Sequence, residues 1–319
     1  MIGIPTRPLP CAKRLNEMLD VFHGIHGGDR FPVNMELLIQ EVPQTFQTGE
    51  PISIRGEAMD SEFEGALFNL AENQSGKADW AIVYNTGILS DGRIRFTLAH
   101  ELGHYLMHRH LHGQFNCNEA DTLHWDSPER QLENQANEFA AHLLMPRRDF
   151  EAQIRSTTVD LDVLGDCAKR YGTSLTAATL KWLEFTPKRA VLVMSYKGIV
   201  RWTRGSQSGK WLSIALNKKL NGQRSRLPDQ CATALCKDTS VDRLGTEVKA
   251  RIWFPNEPKD MVLREMRIIS DQYRQTMTLL ILPSEVKPWE RNRHADSDND
   301  GLADTFDHFV RNGQPPVRN

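Results

Sequence analysis

Apolar side chains recur at helical spacing in two segments near the start of the chain. This pattern predicts helices over residues 11–22 and 34–41. Proline and glycine interrupt the pattern at Pro43 and in the stretch 48–51, which are expected to separate these helices from the next element.

The pattern changes from strand to helix between residues 80 and 106. Residues 80–85 are rich in β-branched and aromatic side chains, which predicts a strand, and residues 90–92 predict a turn after it. Beyond the turn, apolar residues return at helical spacing. They predict a helix that packs through one apolar stripe, formed by Phe96, Leu98, Ala99, Leu102 and Leu106.

The predicted helix also carries polar residues with metal-binding chemistry. His100 and His104 are four residues apart, so they lie on one face of a helix and can bind the same zinc ion. Glu101 follows the first histidine, where its carboxylate can hold and activate a water molecule. The H-E-x-x-H pattern therefore favours zinc-dependent hydrolysis.

A catalytic zinc site needs a third protein ligand and a position for water. One candidate is His110, which stands at the spacing of the metzincin pattern. That pattern needs a glycine for its sharp turn, and this chain has Met107 at the glycine position.

The other candidates lie on a second predicted helix, which Pro146 ends. Glu133 flanks the apolar face of this helix and is the expected third ligand. Asn137, one turn further on, can orient a ligand histidine through its second ring nitrogen. Glu129 and Glu138 are the alternative carboxylates.

These segments resemble the ImmA/IrrE family of metallopeptidases, and the likeness extends from about residue 55 to 185. The resemblance implies a gluzincin-like site with Glu133 as third ligand and Glu101 as general base. It also implies a protein substrate, typically a helix-turn-helix repressor cut at one peptide bond, as in the peptidases of stress and anti-phage operons. The matching segments are 63–67, 81–85, 95–104 and 133–146.

Three further features near the predicted site suggest roles in catalysis. The strand 80–85 is expected either to pair with an extended substrate or to be an ordinary internal strand. Tyr105, or a histidine between His108 and His124, is the expected donor to the oxyanion. Cys117 is a soft ligand that could occupy the water position and hold the enzyme latent.

Composition places the chain among ordinary globular proteins. Its 319 residues suggest two or three domains, and it is 39% hydrophobic and 25% charged. The five cysteines have no regular spacing, which favours reduced thiols in the cytoplasm. No signal-like or membrane-spanning apolar stretch is expected.

The formal net charge of −2 hides an uneven distribution. Residues 188–283 contain 18 Lys and Arg against 8 Asp and Glu, so this part is basic and the remainder acidic. Interleaved cations and aromatic rings suit single-stranded DNA, which is therefore the expected activator. The expected contacts are Arg201, Arg204 and Lys210, with rings from Tyr196, Trp202, Trp211, Trp253, Phe254 and Tyr273.

The C-terminal half shows two further patterns. Residues 161–184 resemble a helix-turn-helix with a glycine in the turn, although acidic residues there argue against DNA reading. Four later runs are β-rich and predict an α/β sensor domain similar to a GAF domain. These runs are 190–196, 198–203, 248–254 and 276–282.

The tail contains an arrangement typical of an EF-hand loop. Carboxylates stand at the calcium-ligand positions, and Gly301 is at the turn position. A calcium site or a flexible acidic tail are the two interpretations. The carboxylates belong to Asp296, Asp298, Asp300, Asp304 and Asp307.

The sequence as a whole predicts an α+β protein in four parts. They are a zincin-like, gluzincin-type peptidase domain (1–158), a helix-turn-helix-like segment (159–186), a basic GAF-like sensor (187–285) and an acidic tail (286–319). The expected function is cleavage of a repressor in response to a signal. The alternatives are a non-catalytic zinc-containing regulator and a transcription factor that binds DNA through residues 161–184.

Overall fold

The fold is given by a computed structural model that places the residues in two compact units. The first unit holds the described residues up to Arg155 together with Cys167–Ser174. The second holds those between Arg155 and Cys167 and those from Leu175 onward. The described residues are 5–60, 63–72, 78–88, 90–111, 114–116, 128–155, 158–217, 225–235, 241–270 and 275–283.

Two helices open the first unit. α1 spans Pro8–His26 and α2 spans Met35–Thr45, so both predicted helices are confirmed. α1 is longer than predicted at both ends, and α2 is longer at its C-terminal end. The Asn34 side chain caps α2 by accepting a hydrogen bond from the backbone N–H of Leu37 at 3.0 Å. Pro43 lies inside α2 and does not end it. A proline this close to the end removes one backbone hydrogen bond and leaves the final residues able to stay helical.

The first unit contains a four-stranded sheet in the order β1-β3-β2-β4. β3 confirms the predicted strand over residues 80–85. It lies between β1, which is parallel to it, and β2, which is antiparallel. Its backbone groups are therefore used within the sheet, and the prediction that it pairs with a substrate is wrong. The strands are β1 (Ile52–Glu57), β2 (Gly65–Glu72), β3 (Ala78–Asn85) and β4 (Gln114–Asn116).

The helix with the H-E-x-x-H pattern, α3, spans Asp91–Met107. It starts where a turn was predicted. The Ser90 side chain accepts a hydrogen bond from the N–H of Arg93 at 3.4 Å, and the acidic Asp91 lies in the first turn, where negative charge is favourable. Serine and aspartate are typical of both turns and helix caps, which explains the difference.

A second helix, α4, spans Pro128–Leu144 and confirms the helix predicted to end before Pro146. It packs closely against α3 at Gly103. A Cβ atom at this glycine would lie 2.8 Å from Cδ1 of Phe139 and 3.4 Å from Cα of Ala136. The absence of a side chain at Gly103 therefore allows the two helices to approach closely.

Three further helices follow α4. α5 spans Arg147–Ile154, and the predicted helix pair is confirmed as α6 (Leu161–Tyr171) and α7 (Leu175–Phe185). Gly172 in the turn between α6 and α7 has a φ of 59°, which glycine adopts without strain. Every residue from 176 to 183 on α7 is buried. A helix that reads DNA must expose side chains to a groove, so this helix is not available for that role.

The second unit contains a five-stranded antiparallel sheet in the order β6-β5-β9-β8-β7. Three of the four predicted β-rich runs match β5, β6 and β9, whereas β8 and all but the last two residues of β7 were not predicted. The strands are β5 (Arg189–Tyr196), β6 (Ile199–Gly205), β7 (Asp242–Lys249), β8 (Val262–Ser270) and β9 (Gln275–Leu282).

The fourth predicted run, 248–254, is wrong as a strand. β7 ends at Lys249, and residues 250–253 form a short helix, α10, defined as Ala250–Trp253. Trp253 and Phe254 lie in the apolar core of the unit because the helix turns them inward. Two other helices accompany the sheet, α8 (Lys210–Asn217) and α9 (Ala232–Leu235).

The architecture is mixed α+β, with a helical region and two separate sheets. Within the part of the chain that is described, no helix is both long and apolar enough to cross a membrane. Cys11, Cys167 and Cys231 are buried free thiols. The four-part division of the chain stays a prediction.

The close crossing of α3 and α4 predicts opposite effects for two glycine substitutions. Gly103→Ala should lower the free energy of unfolding by about 1–3 kcal/mol, because its new methyl group overpacks against Phe139 and Ala136. Gly24→Ala is the matched control in α1, where a Cβ meets nothing within 4 Å. It should raise stability by about 0.5–1 kcal/mol. Denaturant unfolding measures both, and a Gly103→Ala protein as stable as the control contradicts the close crossing.

Candidate metal centre

The spacing of the two histidines on α3 brings their ring nitrogens together. Nε2 of His100 lies 3.0 Å from Nε2 of His104, and the ring centroids are 4.7 Å apart. Both residues are buried, and the apolar residues around them hold the helix in place. Because both rings are buried, their orientation is fixed, and Nε2 of each ring faces the same position.

Glu133 on α4 faces the same point and completes a group of three ligands. Its Oε2 lies 3.2 Å from Nε2 of His100, and its Oε1 lies 3.2 Å from Nε2 of His104. The three residues form a group that could hold a metal ion. Zinc bonds of about 2.0–2.2 Å at tetrahedral angles separate ligand atoms by about 3.3–3.6 Å. The observed separations are within a few tenths of an ångström of that range, so the donor set fits zinc.

The electrostatic environment favours the metal-binding forms of these side chains. Burial lowers the pKa of His104 to about 4, although Glu133 raises it in part. Burial alone would raise the pKa of Glu133, but the hydrogen bonds and charges of His100 and His104 hold it well below its usual value. A neutral imidazole and an ionised carboxylate are the forms that bind a cation.

Asn137 lies where it can orient the first histidine. Its Oδ1 is 2.8 Å from Nδ1 of His100, and both side chains are buried. Metal-binding histidines commonly donate their second N–H to such an oxygen, which fixes the ring and its tautomer. The position of Asn137 agrees with the orienting role predicted for it, which stays a proposal.

Glu101 is fully buried next to the metal-binding histidines. The start of β2 passes beside it at Gly65, where a Cβ atom would lie 3.7 Å from Oε1 of Glu101 and would overlap the methyl group of Thr97. The glycine therefore lets the strand approach the helix beside the carboxylate.

A hydrogen-bond network around Asn85 positions the chain segment that leads to Gly65. This network was not predicted from the sequence. The Asn85 side chain donates hydrogen bonds to the carbonyl oxygens of Met59, Asp60 and Phe63. The next residue, Glu64, forms an ion pair with Arg93 on α3. A buried asparagine at the end of a strand was the only available signal, and it does not reveal which carbonyl groups it binds.

The structure corrects the predicted oxyanion donors. The hydroxyl of Tyr105 lies 2.8 Å from Oγ1 of Thr48 and donates to the carbonyl of Glu50 at 2.5 Å, so it is not placed to meet a substrate. His108 is also buried, and its ring faces His104. Neither side chain is positioned for the predicted role.

The alternative third ligands lie away from the two histidines. His110 follows the end of α3 and is exposed, so the metzincin arrangement is not formed. Glu129 is exposed, and the side chain of Glu138 is 53% exposed and faces His142. Helical geometry turns Glu138 away from the face that Glu133 and Asn137 share.

Several predicted residues lie outside the described part of the chain. They include Cys117, most of the histidines considered as donors beyond His108, and the ring of Tyr273. The proposed calcium loop also lies there, with Asp296, Asp298, Asp300, Asp304 and Asp307. Their roles stay predictions.

The predicted nucleic-acid contacts differ in their surroundings. Arg201 lies with its guanidinium carbon 4.9 Å from the ring centre of Tyr196, and Lys210 is half-buried at the start of α8. Burial lowers the pKa of Arg204 to about 10, and the charge of Glu184 raises it in part. Trp253 and Phe254, 2% and 4% exposed, are core residues and cannot stack on bases.

A comparison with protein families identifies a domain in the part of the chain that contains the candidate metal centre. Residues 63–183 match the Peptidase_M78 family, described as the IrrE N-terminal-like domain. A comparison with curated proteins gives no match. Among solved structures, the chain is similar to a Mycobacterium tuberculosis transcriptional regulator, with 11% identity and a TM-score of 0.44 over 84% of this chain and 76% of that one. Residues 63–183, which contain all three candidate ligands, therefore form a domain of the IrrE N-terminal-like peptidase family.

Proposed function

We propose that the chain is a zinc-dependent endopeptidase. The observation that carries this proposal is the convergence of His100, His104 and Glu133 within hydrogen-bond distance of one another, with Glu101 buried beside them. Two imidazoles and one carboxylate are the ligands of catalytic zinc in several peptidases, which keep a fourth position for water. The family match to a peptidase domain supports the same reaction class.

Each residue of the proposed site has a separate role in the reaction. His100, His104 and Glu133 would hold the metal, which when bound supplies a Lewis acid that lowers the pKa of water and polarises a carbonyl. Glu101 takes the proton from the attacking water and passes it to the leaving amine. Asn137 keeps the His100 ring in the orientation in which Nε2 faces the metal position.

The proposed substrate is a helix-turn-helix repressor. This substrate class comes from the resemblance to ImmA/IrrE peptidases, and the stress or anti-phage setting comes from the same source. A non-catalytic zinc regulator is the competing function. The buried carboxylate of Glu101 favours the enzyme, because a purely structural zinc site has no use for a base next to its ligands.

The basic second unit is proposed to sense single-stranded DNA. Support comes from the β5–β6 hairpin, where Lys197 and Arg201 both lie over the ring of Tyr196, at 5.4 and 4.9 Å from its centre. A ring and two cations at one surface suit a stacked base and its phosphates. Arg201 and Arg204 are both half-buried, and burial lowers the pKa of Arg204 to about 10.

The metal site predicts a distinct pattern of zinc loss. His100→Ala, His104→Ala and Glu133→Ala should each lose the zinc that the wild-type protein holds at about one ion per chain. The exposed neighbours His110 and Glu138 provide matched controls, and alanine at either position should leave the zinc content unchanged. Elemental analysis of purified protein measures this. Zinc loss in His110→Ala with full zinc in Glu133→Ala contradicts the assignment.

The proposed general base predicts a separate effect on catalysis. Glu101→Gln keeps the size of the side chain but cannot accept the proton, so cleavage should slow by about 10²–10⁴-fold while fold and zinc content stay normal. Mass spectrometry of a repressor encoded beside the gene follows the cleavage. Glu138→Gln is the control with the same chemical change. A Glu101→Gln protein that cleaves at the wild-type rate overturns the mechanism.

The proposed sensor predicts salt-dependent binding at the hairpin. Lys197→Gln and Arg201→Gln should weaken binding to single-stranded DNA and reduce the slope against log salt by about 0.7 for each phosphate that is no longer neutralised. Lys259→Gln, exposed elsewhere in the same unit, is the control. Fluorescence anisotropy at several salt concentrations measures the slope. If wild-type protein fails to bind even at about 50 mM salt, the unit responds to another signal.

A further inference from the structure

His108 continues the histidine series of α3 by one more turn. Its Nδ1 lies 3.1 Å from Nδ1 of His104, and its Nε2 lies 3.1 Å from Oε1 of Gln135 on α4. The residue is 2% exposed, so water cannot readily replace these partners. A continuous chain of contacts therefore runs from a proposed metal ligand through His108 to α4.

In the series His104–His108–Gln135, the chemistry of the first and last residues determines where each hydrogen lies. Nε2 of His104 faces His100 and Glu133, so this nitrogen must present its lone pair when a metal binds. A neutral imidazole carries only one N–H, which then lies on Nδ1 and donates to Nδ1 of His108. His108 in turn carries its hydrogen on Nε2 and donates it to Oε1 of Gln135, which can only accept.

We propose that His108 and Gln135 are positioning residues that hold His104 in its metal-binding tautomer. This inference rests on the proposed metal site. It extends the site by a pair of residues that act through His104 and do not touch metal or substrate. An acceptor on Nδ1 stabilises the tautomer with the free lone pair on Nε2, and it fixes the rotation of the ring.

The geometry separates this role from the two other roles open to His108. A fourth metal ligand would have to approach Nε2 of His104, but His108 contacts the opposite edge of that ring at Nδ1. An oxyanion donor would have to face the substrate, and both ring nitrogens of His108 have partners within the protein.

The two metal-binding histidines are held in matching ways by one helix. Asn137 accepts from Nδ1 of His100 directly, whereas Gln135 acts on His104 through His108. Both amide oxygens come from α4, which also supplies Glu133. The same helix therefore provides a ligand and the acceptors that orient the other two ligands.

Variants that keep or remove the acceptor test the proposal. His108→Phe preserves a ring but removes the acceptor, so zinc affinity should fall by about 10–100-fold. His108→Gln offers an amide oxygen in place of the ring nitrogen and should recover most of the affinity. Gln135→Met, at a half-buried position, should weaken binding in the same direction and by less. Competition with a chromophoric chelator measures affinity, and the visible spectrum of the cobalt-loaded protein reports ligand geometry.

Two further comparisons make the test specific. Because His108 and Gln135 act in series, the double variant His108→Phe/Gln135→Met should bind zinc no more weakly than His108→Phe alone. His110→Phe, a change at an exposed neighbour, should leave zinc affinity and the cobalt spectrum unchanged. Additive decreases in zinc affinity in the double variant contradict a serial arrangement.

The wild-type protein provides a direct measurement that needs no substitution. In the zinc-loaded chain labelled with ¹⁵N-histidine, long-range ¹H–¹⁵N spectra should show His104 with its hydrogen on Nδ1 and His108 with its hydrogen on Nε2. A hydrogen on Nδ1 of His108, or unchanged zinc affinity in His108→Phe, overturns the positioning role. A wild-type protein that binds no zinc refutes the metal site itself, so the two failures are distinguishable.

Discussion

The close approach of α3 and α4 at Gly103 is the constraint on which the site depends. The two histidines share a face of α3 by helical geometry alone, but the third ligand comes from another helix and must reach the same point. Glu133 does so at 3.2 Å from each ring because the helices are separated by little more than the ring of Phe139 and the backbone at Ala136. A side chain at residue 103 would push α4 outward and move the carboxylate with it. The glycine within the H-E-x-x-H pattern is therefore a packing requirement of the metal centre.

Burial gives the same site its electrostatic character. Removal from water lowers the pKa of His104 to about 4, so its ring is neutral at ordinary pH and has a lone pair available for a cation. The carboxylate of Glu133 remains ionised because both histidines interact with it. A buried negative charge is costly unless a positive charge joins it. The packing that positions the three candidate ligands therefore also creates an environment suited to a cation.

The sequence predicted those parts of the site that local spacing determines. The spacing of four residues between His100 and His104 predicts that both lie on one face of a helix. Glu133 is predicted as a ligand from its place beside the apolar face of a second helix. The parts that depend on long-range packing were missed or wrong. β3 lies between two other strands of its sheet, which its own sequence does not determine. The segment predicted as a strand at residues 248–254 contains the short helix α10, which contributes to the core. The direction of His108 and the partners of Asn85 are set by neighbouring elements, so no pattern within one segment could reveal them.

In the basic second unit, the number of Lys and Arg residues overstates the positive charge at the surface. Arg189 is among its cations, yet it is 1% exposed and forms an ion pair with Glu257 at 2.6 Å. Its charge is compensated inside the protein and contributes little to the field outside. Arg204 is half-buried, and two of the aromatic residues that suggested base stacking are part of the core. Polyanion attraction therefore depends on the smaller set of cations that remain at the surface. At the β5–β6 hairpin, Lys197 and Arg201 lie over the ring of Tyr196, which is why the proposed sensing role is placed there and not over the basic segment as a whole.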